Sequence, residues 1–586
     1  MLSDRGFGYP ENCSVDSMAV YNSGGGEKLY LGTHYNGPEG CQVWSYDGEG
    51  FSPVATHGIT SPSNTNASSM AVYQGTLVVG TFNNEGCQVL SYDGSGWSLE
   101  NTPGFDSMSK RIASPLAVAS GQLFSATNDR DEGISEVWST SDVDYRYAWY
   151  LPEGSTGSNQ DGSGFETFVV VQNPGTKTAS TRVTFQTPAG SHRGPASTLG
   201  PGTRKTVNVG DYVPGEWSVS AKVESDEPVV AERSTYWSTP GVFRQAAHDS
   251  IGINELSRTW YLPEGSTGVA AEGSFSTWVL VQNPGDEEAA IRITFNTPEG
   301  EVPGPSITLS PGTRETVDVA RYVPGEWSVS AKVESDKPVA AERSTYWSTP
   351  RVFRQAAHDS IGVAQPALSW YLPEGSTGVA AEGSFATWVL VQNPGTETAT
   401  VRVTFQTPDR LHQGPVLELK PGTRDTVEVA RTLPNMWSVS TMIESDVPVV
   451  AERTTYWNTS ATLRQAAHAS IGASRASTTW DLAEGCTATG PEGSFATWVL
   501  VQNPGTETAA ITITYQTPGG QVPGPEFNLA PGTRRTVDVS EYAGAQWSVS
   551  SRVSSNHPVI SERSTYWNTP ATLRQAAHAS IGMPQE

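Results

Sequence analysis

The sequence predicts an all-β protein: a partial β-propeller of about three blades, followed by four tandem immunoglobulin-like β-sandwiches. Three observations predict it. Short apolar–polar alternations, cut by Gly- and Pro-rich turns, run through the chain without helical periodicity. A segment of about 110 residues recurs four times. A shorter four-strand unit recurs ahead of it. The 586 residues exceed what one core serves, so several domains are expected. The divisions fall at 1–145, 146–252, 253–362, 363–472 and 473–586.

The short units open at Ser17, Ser69 and, more weakly, Ser114, at spacings of 52 and about 46 residues. The first two carry four strands each, the last following "YDG", whose Asp-Gly is a hairpin signal. Four-stranded units of this length are propeller blades. Closed propellers have at least four blades, so further blades are expected upstream. The opening "MLSDRGFGYPENC" lacks the apolar core of a signal peptide, and the expectation is a chain that begins downstream of its natural start. An open three-sheet fan, or blades completed by another chain, is the alternative.

Each long copy opens at Trp149, Trp260, Trp370 or Trp480 and closes at His248, His358, His468 or His578. The second copy serves for all. In "GSFSTWVLVQNPG", Phe275, Thr277, Val279 and Val281 share one strand face and Trp278 and Leu280 the other, so both faces read as covered. "NPG" forces a turn. "AAIRITFNTP" alternates Ile291, Ile293 and Phe295 against Arg292 and Thr294. "PGT" is a hairpin turn between "SITLS" and "RETVDV". "EWSVSAKVES" places Trp327, Val329, Ala331 and Val333 inward. About seven strands per copy make an immunoglobulin-like sandwich. The connectors "INELSRT", "VAQPALS" and "ASRASTT" are short, so the copies are expected end to end, a rod of roughly 150 Å.

"RQAAHDSIG" sets His248, Asp249 and Ser250 side by side, the three side chains of a hydrolytic triad. Copies three and four replace the acid by Ala469 and Ala579, which removes the group that orients the histidine. Neighbours on a strand also point in opposite directions. The motif therefore reads as structural, with His248 closing its domain through hydrogen bonds and Ile251 plugging its end. The pairs Glu232/Arg233, Glu342/Arg343, Glu452/Arg453 and Glu562/Arg563 put one charge of each pair on an apolar face, where it needs a partner. Arg244 or His248, with Arg204 as a further cation, is the expected partner of Glu232. These pairs and the four histidines are assigned to a structural network, and no catalytic, cofactor or metal residue is assigned. Trp217, Trp327, Trp437 and Trp547 read as core. Trp237, Trp347, Trp457 and Trp567 end strands; packing in the core or between domains is preferred for them over a row of glycan-stacking rings.

The net charge of −25 repels phosphate and excludes nucleic acid and anionic membranes as natural partners. No apolar stretch is long enough to span a membrane. Cys13, Cys41, Cys87 and Cys486 show no metal-ligand spacing, and a Cys41–Cys87 disulfide stays open.

The motifs "LYLGT" and "GCQVWSYDG" resemble bacterial secreted propeller proteins. "WYLPEGSTG", "TWVLVQNPG", "EWSVS", "AERSTYW" and "HDSIG" resemble a domain of unknown function repeated in bacterial secreted and surface-attached proteins. What the resemblance implies is a location outside the cell or on its surface. The leading expectation is a non-enzymatic secreted or cell-surface protein, its sandwiches a stalk presenting a propeller head for adhesion. A surface glycan, a protein ligand or a second copy is the expected partner, and no cofactor is expected. One alternative is an extracellular carbohydrate-active enzyme with its site in propeller loops, where His34, Glu39, Asp129, Asp131 and Glu132 are the polar candidates. Another is that the repeats themselves bind glycans or form filaments.

Overall fold

Alternating burial marks the strands throughout, and strands dominate the computed structural model. It describes residues 5–585, apart from 24–25, 74, 102, 106, 120–121, 130–132 and 140–144. The protein is all-β. It divides into two compact units, residues 1–143 and 144–586. No helix among the described residues is long and apolar enough to cross a membrane.

The first unit is built of antiparallel meanders. β1 (Asn12–Asn22), β2 (Glu27–Tyr35), β3 (Val43–Tyr46) and β4 (Phe51–Ala55) pair in succession. β5 (Asn64–Tyr73), β6 (Thr76–Asn83), β7 (Val89–Tyr92) and β8 (Trp97–Leu99) repeat the pattern. β9 (Lys110–Ala119), β10 (Gln122–Asp129) and β11 (Ile134–Ser139) form a third. These sheets are compatible with the blade-like units expected. Adjacent meanders meet at single pairings, His34 with Asn66 and Phe82 with Ile112. The two "EGCQV" cysteines do equivalent work there. Cys41 N–H donates to Asn64 O at 2.7 Å, and Cys87 N–H to Lys110 O at 2.8 Å. Both thiols are buried and free. Burial pushes them up, to about 12 and about 11 respectively, so they stay protonated and inert at neutral pH. Gly80 of "VVGT" is required by close approach, since a Cβ there would collide with the Ala113 carbonyl of the next meander.

In the second unit the first copy is a sandwich. β12 (Tyr147–Leu151), β17 (Ser220–Ser225), β14 (Ala179–Thr187) and β15 (Gly190–Leu199) form one sheet in that order. β16 (Thr203–Asn208), β13 (Gly164–Asn173), β18 (Val230–Thr239) and β19 (Val242–Ile251) form the other. The crossed pairs β13–β16 and β14–β17 follow the immunoglobulin pattern, but β18 adds to β13, where an immunoglobulin domain would add its last strand to the β14–β17 sheet. In the other copies the counterparts of β17 and β18 run on as one strand serving both sheets: Ser330–Ser348, Ser440–Asn458 and Ser550–Asn568. The opening tryptophans are core. Trp149 Nε1–H donates to Val229 O at 2.8 Å, and Trp260, Trp370 and Trp480 repeat the bond.

The copies do not lie end to end, as the short connectors suggested. Each connector folds back on its own copy: Ile253 and Tyr150 exchange two backbone hydrogen bonds, as do Val363 and Tyr261 and Ala473 and Tyr371. This turns the chain sideways. The closing strands β19, Ala356–Ile361, Ala466–Ile471 and Ala576–Ile581 then pack in a cycle, the fourth against the first. Gln245 Nε2 donates to Gln355 O at 3.3 Å, Gln355 to Gln465 O at 3.4 Å, and Gln575 to Gln245 O at 3.3 Å. The second apolar face read from the Trp278 strand is covered by a neighbouring copy. At the connector end, Ile251, Ile361, Ile471 and Ile581 line one shared cavity of about 360 Å³, so Ile251 does not plug its own domain alone.

Candidate functional site at the seams between copies

Where two copies meet, the recurring polar residues converge, and the partners come from different copies. At the seam between copies one and two, Arg233 is fully buried. Its Nη2 donates to Glu342 Oε1 at 2.6 Å and to Asp359. Its Nη1 lies 3.1 Å from Glu153 Oε2. Glu342 Oε2 accepts from the Glu153 backbone N–H at 3.0 Å. Arg314, from "PGTR" of copy two, reaches back to Pro152 O at 2.9 Å. The β-ladder register places Arg233 and Glu232 on opposite faces of β18, so each serves a different seam.

The other seams repeat the plan. Arg343 meets Glu452 and Glu264, Arg453 meets Glu562 and Glu374, and Arg563 meets Glu232 and Glu484. The last of these joins the chain's fourth copy to its first. Glu232 therefore pairs with Arg563, not with Arg244 or His248. The predicted Glu/Arg pairs are thus brought together, but across copy boundaries.

The histidines also cross the seams. His248 Nε2 lies 3.0 Å from Tyr346 Oη, and His358, His468 and His578 face Tyr456, Tyr566 and Tyr236. At the second seam Arg343 donates to His358 Nδ1 at 2.9 Å, which leaves Nε2–H to donate to Tyr456. Burial pushes His358 down to about 3, with Arg343 adding to the shift, and holds His468 and His578 well below the ordinary histidine range. His248 closes a seam, where closure of its own domain was expected.

The apparent triad does not converge. His248 turns to the seam with copy two, whereas Asp249 turns to the seam with copy four and accepts from Arg563. Ser250 Oγ donates to the Ile251 carbonyl at 3.4 Å. The two aspartates sit in unequal fields. Burial pushes both up. Arg233 and His248, whose Nδ1 is 2.9 Å from Asp359, hold that acid below the usual carboxylate range. Asp249 stays well above it: His578 Nδ1 is 3.8 Å away, and Glu232 and Glu484 repel a further negative charge. Glu153, His248 and Asp359, and likewise Asp249, Glu484 and His578, bring ligand-type atoms within 4.8 Å of one another. In each group a guanidinium, Arg233 or Arg563, already occupies the cationic position.

Above the ion pairs each seam holds an aromatic cage around an arginine. Arg354 lies 4.7 Å from the centroids of Phe165 and Trp237 of copy one, and 4.9 Å from Tyr346. Arg244, Arg354, Arg464 and Arg574 all hold φ between 52° and 54°, a strained backbone that puts the guanidinium into the cage. Trp237, Trp347, Trp457 and Trp567 are buried here as interdomain packing. Trp217, Trp327, Trp437 and Trp547 are not core: they are 44, 45, 47 and 62% exposed. The strand alternation does not extend to them, because β17 begins only at Ser220.

Glu153, Glu264, Glu374 and Glu484 escaped the sequence reading, although their recurrence in "PEG" or "AEG" of every copy was the available signal. In the first unit, His34 sits within β2 and not in a loop, Glu39 lies 3.9 Å from exposed His57, and Asp129 is buried at the end of β10. Asp131 and Glu132 lie outside the described residues.

Several solved structures share some likeness with the chain. Thermotoga maritima 1070 is 22% identical over 18% of this chain and 94% of that chain, with a TM-score of 0.16. The Anabaena sensory rhodopsin transducer is 20% identical over 15% of this chain and 95% of its own, with a TM-score of 0.13. An exo-β-1,3-galactanase from Phanerochaete chrysosporium is 8% identical over 55% of this chain and 66% of its own, with a TM-score of 0.16. No curated protein matches the sequence. Residues 262–538, which hold the whole polar set of the seam between copies two and three, match a family of unknown function, DUF5719.

Proposed function

We propose that this chain is a non-catalytic protein of the cell surface or extracellular space. Its four sandwich copies serve as a closed, rigid hub, and its N-terminal unit, a partial propeller, serves in adhesion. The hub replaces the stalk that a linear array would make. One observation carries the reading: the histidines, carboxylates and arginines that could have served chemistry are spent on one another at the seams, buried and joined across copies. The acidic surface and the resemblance to secreted bacterial repeats support the location.

Two measurements test it. Antibody labelling of intact against lysed producing cells reads the location, and labelling only after lysis overturns that part. A panel of chromogenic glycosides and esters reads the chemistry. Turnover by the full chain that disappears in His248→Ala would overturn the non-catalytic reading.

A further inference from the structure

We propose that the grooves beside the seams bind sugar rings of a neutral glycan, with Trp217, Trp327, Trp437 and Trp547 as stacking platforms. The proposal goes beyond the hub role inferred above and gives the sandwich copies a ligand of their own. The groove beside the first seam has a volume of about 230 Å³. Trp217, Phe165 and Glu153 of copy one bound it on one side, and Trp278, Arg314 and Tyr346 of copy two on the other. Its counterpart beside the seam of copies four and one is about 120 Å³, with Trp547, Glu484, Arg204 and Tyr236 in the same positions and Phe168 in place of Trp278.

Two features point to a ligand. The first is the indole. Tryptophan is mostly buried on average, and here one ring recurs half-exposed at the same position of every copy. Its orientation is fixed. Gly157, Gly268 and Gly378 back the ring so closely that a Cβ on any of them would overlap it, and Phe165 meets Trp217 edge-on at 6.2 Å. In the first three copies one face is backed by glycine, which leaves the opposite face to solvent. The negative face of an indole attracts the polarised C–H bonds on the apolar side of a sugar ring.

The second feature is polar. Arg314 is 1% exposed and lines the groove, yet its Nε–H has no acceptor among the described residues; its other nitrogens are taken by Thr316 and Pro152. Glu153, 6% exposed, lines the same groove, its Oε2 3.1 Å from Arg233 Nη1. Arg204 Nε repeats this unmet donor in the other groove, where Glu484 Oε2 lies 3.1 Å from Arg563 Nη1. A buried donor left unmet is costly, and a ligand hydroxyl answers it by accepting from Nε–H. A groove carrying both signs of charge on a chain of net −25 suits a neutral hydroxylated ligand better than a polyanion. Four platforms on one chain would let a repeating polysaccharide bind with avidity.

The test uses the full chain and neutral hexasaccharides of β-linked glucose, xylose, mannose and galactose, with titration followed by calorimetry and indole emission. At least one should bind saturably with a blue shift. Binding should weaken about tenfold or more when all four platforms are replaced, W217A/W327A/W437A/W547A, with the melting temperature held. Undiminished binding by the fourfold variant overturns the proposal, as does no binding of any member at millimolar concentration. Preference for a proline-rich peptide over every sugar also overturns it. New reducing ends released from a bound hexasaccharide would instead overturn the non-catalytic reading and leave the stacking site standing.

Discussion

Glu232 and Arg563 lie 331 residues apart, and they touch only if the fourth copy closes on the first. Replacing them singly and together therefore distinguishes a closed cycle from a linear array. Arg563 is almost fully buried; it donates to Glu232 at 2.6 Å and to Asp249, and lies 3.1 Å from Glu484. Arg563→Met leaves these three acids without a guanidinium in hydrogen-bond contact, with Arg204 and Arg244 the cations still near Glu484. Removing one partner of a buried ion pair costs about 3–5 kcal/mol. Glu232→Gln is milder, about 1–2 kcal/mol, because Arg563 keeps Asp249 and Glu484 beside it and the new amide carbonyl still accepts. In the double variant the amide no longer misses a charged partner. The combined loss should then fall short of the sum by about 1–2 kcal/mol, whereas distant sites add to within about 0.5 kcal/mol. Urea denaturation of the full chain, followed by tryptophan emission, measures all four corners of the cycle. Additivity to within about 0.5 kcal/mol refutes ring closure. The pair Arg453→Met and Glu562→Gln, at a seam between consecutive copies, is the control and should show the same coupling.

Other perturbations read other parts of the seams. Folded His358 resists protonation down to about pH 3, while the unfolded chain takes the proton near pH 6.5, so its share of stability is complete above that pH. That share falls on acidification by about 1.4 kcal/mol per pH unit across the window; His358→Gln should flatten the measured slope by this amount, and an unchanged slope counts against the buried neutral ring. Arg464→Ala empties the cage of Phe275, Trp347 and Tyr456 and should cost about 1–2 kcal/mol in thermal melts; no loss would remove the cage from the account. Trp370→Phe leaves Val449 O without its donor and should cost about 1–3 kcal/mol by chemical denaturation, whereas a neutral result would show the carbonyl resatisfied. Gly268→Ala should swing Trp327 away and red-shift its emission, and an unmoved spectrum would show that the glycine backing is slack.

Much of the fold is legible in the residues. The alternation of Ile291, Ile293 and Phe295 against Arg292 and Thr294 is the burial pattern of that strand. The recurring Glu/Arg pairs announce buried charge, and buried charge it is. Neighbours on a strand point in opposite directions, and His248 and Asp249 accordingly face different seams. The tryptophans were harder. "EWSVS" carries the strand period past the point where the strand starts, so Trp217 read as core; "STYW" places Trp237 at a strand end, and nothing local says that a neighbouring copy caps it.

By itself the sequence determined that this protein is made of strands, that it repeats, and which side chains must leave water. Those follow from local chemistry: a period of two, turn residues with restricted φ, and the cost of burying charge alone. Only the tertiary structure decided who meets whom. An apolar face or a buried carboxylate requires a partner but does not name it, and neither face in the seam records that its complement lies one copy ahead or, for the last copy, at the beginning of the unit. The connectors, bonded back onto their own copies, set that geometry through two hydrogen bonds at a time.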